Sequence, residues 1–97
     1  MDGLRFSWDE AKNASNKKKH GVSFEEAKSV FADDFARLIL DPDHSEGEER
    51  FILMGMSVKL NLLTICHCEQ ELNTIRIISA RKADKSERAQ YEAYRYA

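Results

Sequence analysis

Apolar residues recur along the chain at two spacings, one typical of strands and one typical of helices. The densest apolar runs are Asn61–Glu69 and Thr74–Lys82, which are rich in Ile, Leu, Thr and Cys and flank a short polar break at Gln70–Asn73. Two such runs around a few polar residues predict a β-hairpin. Alternation of apolar and polar residues predicts shorter strands at Leu4–Trp8 and Arg37–Leu40.

A further strand is predicted at Arg50–Ser57, where both sets of alternate positions are apolar. Phe51 and Leu53 share one face, and Ile52 and Met54 share the other. A strand that is apolar on both faces is typical of the middle of a sheet with cover on each side.

The first helix is predicted to run from Asp9, a good N-cap, to about His20. Gly21 follows and can adopt the left-handed conformation that ends helices. This helix is poor in apolar residues and offers only Ala11 and Ala14 to a core.

A second helix is predicted to begin at Ser23, which forms a capping box with Glu26 three residues later. Its apolar positions recur at helical spacing and predict a core-facing stripe made of Phe24, Ala27, Val30 and Phe31.

A C-terminal helix is predicted to begin in the same way, with Asp84 and Glu87 as the capping box, and to end near Arg95. Its apolar stripe is predicted to consist of Ala89, Ala93 and Tyr96, with Tyr91 and Tyr94 nearby.

These elements follow in the order β-α-α-β-β-β-β-α, which predicts an α+β fold. We expect an antiparallel β-sheet packed with two N-terminal helices and a C-terminal helix. Asp41–Asp43 predicts a turn, and His44–Glu49 predicts an exposed acidic loop. No repeat, low-complexity segment or linker divides the 97 residues, so one domain is expected over residues 1–97.

Composition and charge narrow the functional classes. With 42% hydrophobic and 33% charged residues, the chain is typical of ordinary globular proteins. The net charge of −2 gives no global sign of nucleic-acid binding, so any basic surface must be a local patch. No apolar run approaches the roughly 20 residues of a membrane span, and the N-terminus lacks a signal-peptide pattern. We expect a cytoplasmic protein that does not enter a membrane.

The two cysteines, Cys66 and Cys68, occupy alternate positions of a predicted strand. They would project from the same face about 6.5 Å apart at Cα, near the upper limit for a disulfide. His67 would face the other way, and no second Cys or His cluster completes a set of metal ligands. We expect two reduced core thiols, no metal site and no cofactor.

Three blocks of sequence stand out together. The first comprises Phe6–Asp9 and Asn16–Ala27, the second Asp41–Ser45 and Glu49–Phe51, and the third Arg76–Ala83. In this order, and over about the whole chain, they closely resemble the BrnT family of toxins.

The resemblance implies a RelE-like ribonuclease fold and the toxin half of a type II toxin–antitoxin pair. It implies RNA as the substrate and a BrnA-like antitoxin as the protein partner. It also implies that the complex represses its own promoter, so that DNA is contacted only indirectly through the antitoxin. A dimer of toxin–antitoxin pairs is compatible with such a complex. The acidic balance of this chain differs from that of the strongly basic, ribosome-dependent relatives of the fold.

RNA cleavage without a metal ion requires activation of a ribose 2′-hydroxyl, stabilisation of charge on the phosphate and protonation of the leaving 5′-oxygen. A carboxylate or an imidazole suits the proton transfers, and a guanidinium matches phosphate with two hydrogen bonds. His67 and Glu69 are two apart in a strand and so share a face. Together with Arg76 and Arg81 they form the predicted catalytic set.

Strand alternation raises a difficulty for this set. Ideal alternation puts Arg76 and Lys82 on one face and Arg81 on the other. Arg81 can join the others only if the strand ends or bulges between Ile78 and Arg81. Further basic residues are predicted to bind RNA, namely Lys17, Lys18, Lys19, Arg50 and Lys82.

Each candidate also has an ordinary structural role. His67 could be a half-buried strand histidine, Glu69 a solvated carboxylate beside a turn, and Arg76 its cross-strand ion-pair partner. Arg50 could neutralise the acidic loop, and the Lys17–Lys19 run could be a solvated helix face.

A function of another class is compatible with the same residues. The chain could be a non-catalytic binding module whose sheet edge or basic face holds a protein partner within a DNA-binding complex. Ionisable residues set into apolar strands favour the ribonuclease, whereas the net acidity mildly favours the binding module. Incubation of the protein with naked RNA in EDTA discriminates between them.

Overall fold

A computed structural model of the chain describes residues 3–40 and 49–96. The predicted turn Asp41–Asp43 and residues 44–48 of the predicted acidic loop lie outside this part. The elements are β1 (Arg5–Ser7), α1 (Glu10–His20), α2 (Phe24–Ser29), a short 3-10 helix (Val30–Ala32), β2 (Arg37–Leu40), β3 (Phe51–Met56), β4 (Leu62–Gln70), β5 (Thr74–Lys82) and α3 (Lys85–Arg95).

The predicted order of elements and the α+β class are confirmed. All five strands form one sheet in the spatial order β1-β5-β4-β3-β2. Strands β2 to β5 are antiparallel neighbours, but β1 runs parallel to β5. The prediction of a wholly antiparallel sheet is therefore wrong at this edge. The two strands are joined by a long connection that contains the helices, and such a crossover permits parallel pairing.

Local capping chemistry sets the bounds of α1. The Asp9 carboxylate accepts hydrogen bonds from the backbone N–H groups of Ala11 and Lys12. Gly21 ends the helix with φ of 71°, a left-handed conformation that glycine adopts without steric cost. Both predicted ends of this helix are confirmed.

The N-terminus of α2 is capped by Ser23, which accepts from the backbone N–H of Glu26 at 3.0 Å. The Glu26 carboxylate does not complete the predicted capping box. It is buried and accepts instead from the Ser57 hydroxyl at 2.7 Å and from the Asn61 amide at 2.9 Å. This side chain therefore ties α2 to the turn between β3 and β4.

The buried face of α1 is polar. Ala11 and Ala14 are exposed, so their prediction as the core face is wrong, and Asn13 and Asn16 are buried in their place. The Asn16 amide donates to the Ala80 carbonyl at 2.7 Å and accepts from the Ala80 N–H at 3.1 Å. Burial of a polar side chain is tolerated because its hydrogen bonds are made.

The sheet is covered on both sides. Helices α1 and α2 cover one side, which we call the α1/α2 face, and α3 packs on the other, the α3 face. The core on the α1/α2 face consists of Val22, Phe24, Ala27, Val30, Leu53, Leu63, Ile65, Ile77 and Ala80. A smaller core on the α3 face consists of Met54, Leu62 and Tyr91, with Met56 and Ala83 packed against it. Cover on each side of β3 is thus confirmed.

Helix α3 docks through Tyr91. Ala89, Ala93 and Tyr96 are exposed, so the predicted stripe is wrong. Tyr91 is buried, and its hydroxyl donates to the Asp33 carboxylate at 2.6 Å. The Tyr91 ring packs with Met54 and Leu62 while its hydroxyl reaches Asp33, so both its apolar and its polar parts find partners on this side. Among the described residues, no helix is long and apolar enough to span a membrane.

A β-bulge interrupts the pairing of β4 with β5. Cys66 lies opposite Ser79 and His67 lies opposite Ile77, so Ile78 is an extra residue in β5. One extra residue shifts the alternation of side chains, and residues beyond the bulge exchange faces relative to a regular strand. The bulge therefore decides where the basic residues of β5 point.

Candidate functional site

The bulge brings two arginines to the α3 face. Arg76 precedes the bulge and is the neighbour of Ile77, which faces the α1/α2-face core, so Arg76 faces the other way. Arg81 follows the bulge and lies opposite Thr64, which stands between the core residues Leu63 and Ile65 and so also faces the other way. The two arginines therefore share a face although they are five residues apart. The prediction that Arg76 and Lys82 share a face is wrong. Lys82 lies opposite Leu63, whose side chain belongs to the α1/α2-face core, so Lys82 is on that face.

Arg81 is held by a carboxylate from α3. Its Nη1 and Nη2 donate to Oε1 and Oε2 of Glu87 at 2.8 and 2.9 Å, and Nη1 also lies 3.3 Å from the Lys82 carbonyl. The Arg81 side chain is 43% exposed, so the pair contributes little to stability. Its geometry nevertheless fixes the plane of the guanidinium. Within the described residues, the Nε–H and one Nη2–H are left to bind an anion.

Glu87 also belongs to the capping box of α3, which is confirmed. Its Oε1 accepts from the Asp84 N–H at 2.9 Å, and its own N–H donates to the Asp84 carboxylate at 2.8 Å. The hydrogen bond from Arg81 is the main cause that lowers the pKa of Glu87, while Glu87 raises the pKa of Arg81. A cation is thereby accommodated beside the positive end of a helix dipole.

Arg76 is half-buried near the other end of β5. Its Cα lies about 13 Å from that of Arg81, because their partners Cys68 and Thr64 are four residues apart on β4 and a strand rises about 3.3 Å per residue. Arg76 lies opposite Cys68, and Glu69 lies opposite Ile75. Arg76 and Glu69 therefore point to different faces, which argues against the cross-strand ion pair considered from the sequence.

His67 lies in the core on the α1/α2 face. It is 2% exposed, and its ring centroid is 5.0 Å from that of Phe31 and 6.0 Å from that of Phe51. Its Nδ1 is buried with no hydrogen-bond partner among the described residues. Burial is the main cause that lowers the pKa of His67. The structure does not bring this imidazole to the face that carries Arg76 and Arg81.

The remaining predicted residues are dispersed. Glu69 is exposed at the hairpin end of β4, and Lys82 is exposed at the end of β5. The Lys17–Lys19 run is exposed in the last turn of α1, where cations suit the helix dipole. Arg50 is half-buried immediately before β3, and its Nε is buried without a partner in the described part of the chain.

Two residues that sequence reasoning missed complete the charged lining of the α3 face. Arg37 on β2 lies opposite Met54, and its guanidinium carbon is 5.2 Å from the centroid of the Tyr94 ring on α3. Glu87 was recognised only as a capping residue. Nothing local in the sequence links Arg37 to Tyr94 or Arg81 to Glu87, since each contact depends on how α3 docks.

The cysteines are less uniform than expected, since Cys68 is buried and Cys66 is half-buried. Across residues 3–40 and 49–96, no three His, Cys, Asp or Glu side chains are grouped as ligands for a metal ion.

Comparisons with known proteins place this geometry in context. The model of one family, described as the ribonuclease toxin BrnT of type II toxin–antitoxin systems, matches residues 8–87. The fold is similar to the crystal structure of the Brucella abortus ribonuclease toxin BrnT, with a TM-score of 0.65 and 20% sequence identity. That match covers 84% of this chain and 99% of the Brucella chain. No curated protein sequence matches the chain.

Proposed function

The chain belongs to the BrnT family of ribonuclease toxins of type II toxin–antitoxin systems, and we propose that residues 1–97 form one toxin domain that cleaves RNA. The reaction needs no metal ion. The ribose 2′-hydroxyl loses its proton and attacks the adjacent phosphorus, the bond to the 5′-oxygen breaks, and that oxygen takes up a proton. The upstream fragment is left with a 2′,3′-cyclic phosphate.

The observation that carries this proposal is the pair of arginines on the α3 face. Arg76 and Arg81 share this face because of the bulge in β5. Arg81 is oriented by Glu87 before any substrate binds and keeps two N–H donors for an anion. Donors that are already oriented stabilise charge as it develops on a phosphate without a cost of reorganisation.

The two arginines contact different phosphates of the RNA. Arg81 contacts the scissile phosphate, since its guanidinium is fixed in a geometry that suits two parallel hydrogen bonds. Arg76, about 13 Å away along the strand, contacts another phosphate of the same RNA strand. Arg81 then acts mainly on the rate of cleavage, and Arg76 mainly on affinity and its salt dependence.

The proton transfers do not pass through His67, because its ring is enclosed by Phe31 and Phe51 and faces away from the arginine pair. Glu69 shares the face of His67 and lies opposite Ile75, at the end of β5 remote from Arg81, so the base predicted there does not reach the phosphate that Arg81 holds.

The family implies an antitoxin partner. We propose that this partner is BrnA-like and covers the α3 face around Arg76 and Arg81, because masking the phosphate contacts stops cleavage. Contact with promoter DNA passes through the antitoxin, in a dimer of toxin–antitoxin pairs. Hydrogen exchange should show protection of Arg76–Lys82 in the complex, and protection confined to residues 41–49 would contradict this surface.

The experiment uses naked RNA and the purified chain, with and without EDTA. The parent should cut equally in both and leave cyclic phosphate ends. Arg81→Ala should lower the single-turnover rate by about 10²–10³, and Arg81→Lys should recover only part of it, because an ammonium cannot form the bidentate contact. Arg88→Ala, an exposed arginine on α3, is the matched control and should cut like the parent.

Each contrary result has a defined meaning. Loss of cutting in EDTA would refute the metal-independent mechanism. A folded Arg81→Ala variant that cuts at the parental rate would place the active site elsewhere. A parent that binds RNA but never cuts it would favour the non-catalytic binding module.

A further inference from the structure

A cleft lies between α3 and the sheet, on the same face as Arg81. Its volume is about 180 Å³. It is lined by Arg37 and Ile39 of β2, Ile52 and Met54 of β3, Thr64 of β4, and Glu87 and Gln90 of α3. Because Glu87 both lines the cleft and holds Arg81, the cleft opens beside the proposed phosphate contact.

The walls of the cleft suit a flat, partly polar ring. Ile39, Ile52 and Met54 provide apolar surface, and Gln90 provides an amide with donors and an acceptor. The Arg37 guanidinium is kept in place by the Tyr94 ring. Proteins recognise single-stranded RNA by stacking its bases on aromatic rings or guanidinium planes and by hydrogen bonding to base edges. Apolar side chains can also enclose a base that has left the stack.

The volume of the cleft limits the size of the ring. A cavity of about 150 Å³ is known to accommodate benzene, which is one six-membered ring. The cleft of about 180 Å³ is therefore large enough to enclose a pyrimidine, whereas the fused rings of a purine would be enclosed less completely. The Gln90 amide can turn to match either cytosine or uracil, so selection acts on ring size.

From these observations we propose that the cleft binds one unstacked pyrimidine base of the RNA, next to the phosphate held by Arg81. The inference rests on the proposed ribonuclease function and adds a base preference to it. The site is assembled from four elements, and its pyrimidine occupant is set by the volume, the apolar walls and the polar edge of α3.

The test uses four RNAs that differ only in the base beside one cleavage site. The parent should cut the two RNAs with a pyrimidine there about tenfold faster than the two with a purine, a typical discrimination by pocket size. Binding is measured separately, by fluorescence anisotropy, with RNAs that carry a 2′-deoxyribose at the cleavage site and cannot be cut.

Two neighbouring positions on β2 provide a matched pair of variants. Ile39 and Leu38 are 52% and 55% exposed, but Ile39 lines the cleft and Leu38 pairs with Leu53 of the opposite face. Ile39→Trp should fill the cleft and reduce the pyrimidine preference to near unity in both cutting and binding. Leu38→Trp should keep the preference. Thermal melts establish that both variants fold.

The outcomes separate this inference from the proposed function. Equal cutting of all four RNAs by the parent, or an unchanged preference in folded Ile39→Trp, would overturn the cleft assignment and leave the ribonuclease intact. A preference for purines would also overturn it. If the parent cuts no RNA, the proposed function fails, and the anisotropy measurements alone decide whether the cleft selects pyrimidines.

Discussion

Asn16 should be a determinant of stability out of proportion to its size. Strand β1 pairs with β5 only along Thr74–Arg76. Beyond that point the Asn16 amide supplies both hydrogen bonds of the Ala80 backbone and donates a further one to the Val22 carbonyl at 2.9 Å. One side chain thus takes the place of a missing strand beside the end of β5 that carries Arg81.

The cost of Asn16→Ala follows from the groups it leaves behind. Three backbone groups lose their partner: the N–H and carbonyl of Ala80 and the carbonyl of Val22. An unsatisfied buried polar group costs about 1–3 kcal/mol. Taking the lower value for each, the free energy of unfolding should fall by about 3 kcal/mol, a large share of the 5–15 kcal/mol typical of a domain. The melting temperature should then fall by about 12–24 °C.

Urea unfolding followed by circular dichroism measures this change, with an unchanged m-value as the sign of a pure stability effect. Ser15→Ala, at an exposed neighbour on α1, is the control and should stay within about 0.5 kcal/mol of the parent. Asn16→Asp keeps the acceptor for the Ala80 N–H but turns a carboxylate oxygen towards two carbonyls, so it should be at least as damaging as Asn16→Ala. An Asn16→Ala variant no less stable than Ser15→Ala would refute the argument.

Other perturbations have equally definite outcomes. Gly55→Ala should cost about 1–3 kcal/mol in urea unfolding, because its new Cβ would lie 2.9 Å from the Cβ of Ala36, which cannot rotate away. Leu60→Gly should stabilise by about 0.5–1 kcal/mol, because Leu60 has φ of 64° and is 81% exposed, whereas Leu60→Ala should bring no gain. Burial lowers the pKa of His67 below the ordinary 6.5, so the unfolded chain binds more protons below that pH. The contribution of His67 to the free energy of unfolding should therefore be fully present above about pH 6.5, and it should be lost as the pH falls towards the lowered pKa. In urea unfolding at a series of pH values, His67→Phe should lose this pH dependence and His20→Gln should keep it. A His67→Phe variant with the pH dependence of the parent would contradict the assignment.

The features that the sequence predicted well are those decided within a few residues. The caps at Asp9 and Gly21 depend on chemistry inside one turn of helix, and so does the capping box of Asp84 with Glu87. The hairpin of β4 and β5 follows from two apolar runs around a short polar break. Such signals do not depend on the rest of the fold.

The features that the sequence missed depend on distant partners. An asparagine in a helix is assigned to solvent by any hydrophobic pattern, yet Asn16 is buried because Ala80 and Val22 satisfy its amide. The stripe of α3 was misassigned for a related reason. A helix rich in Ala and Tyr has more than one apolar stripe, and the contact of Tyr91 with Met54 and Leu62 selects one of them.

The orientation of Arg81 could have been predicted from the energetic cost of burying its charge, although the alternation of side chains along the strand gives the opposite face. In a regular β5, the face that carries Ile75 and Ile77 would continue with Ser79 and Arg81. An arginine would then enter the core on the α1/α2 face, where an unpaired charge costs several kcal/mol. One extra residue at the bulge replaces that sequence by Ile75, Ile77 and Ala80, which buries a methyl group and turns the guanidinium towards α3. The need to keep a charge out of the core therefore favours the same bulge that creates the proposed phosphate contact, so the fold and the candidate site depend on one irregularity.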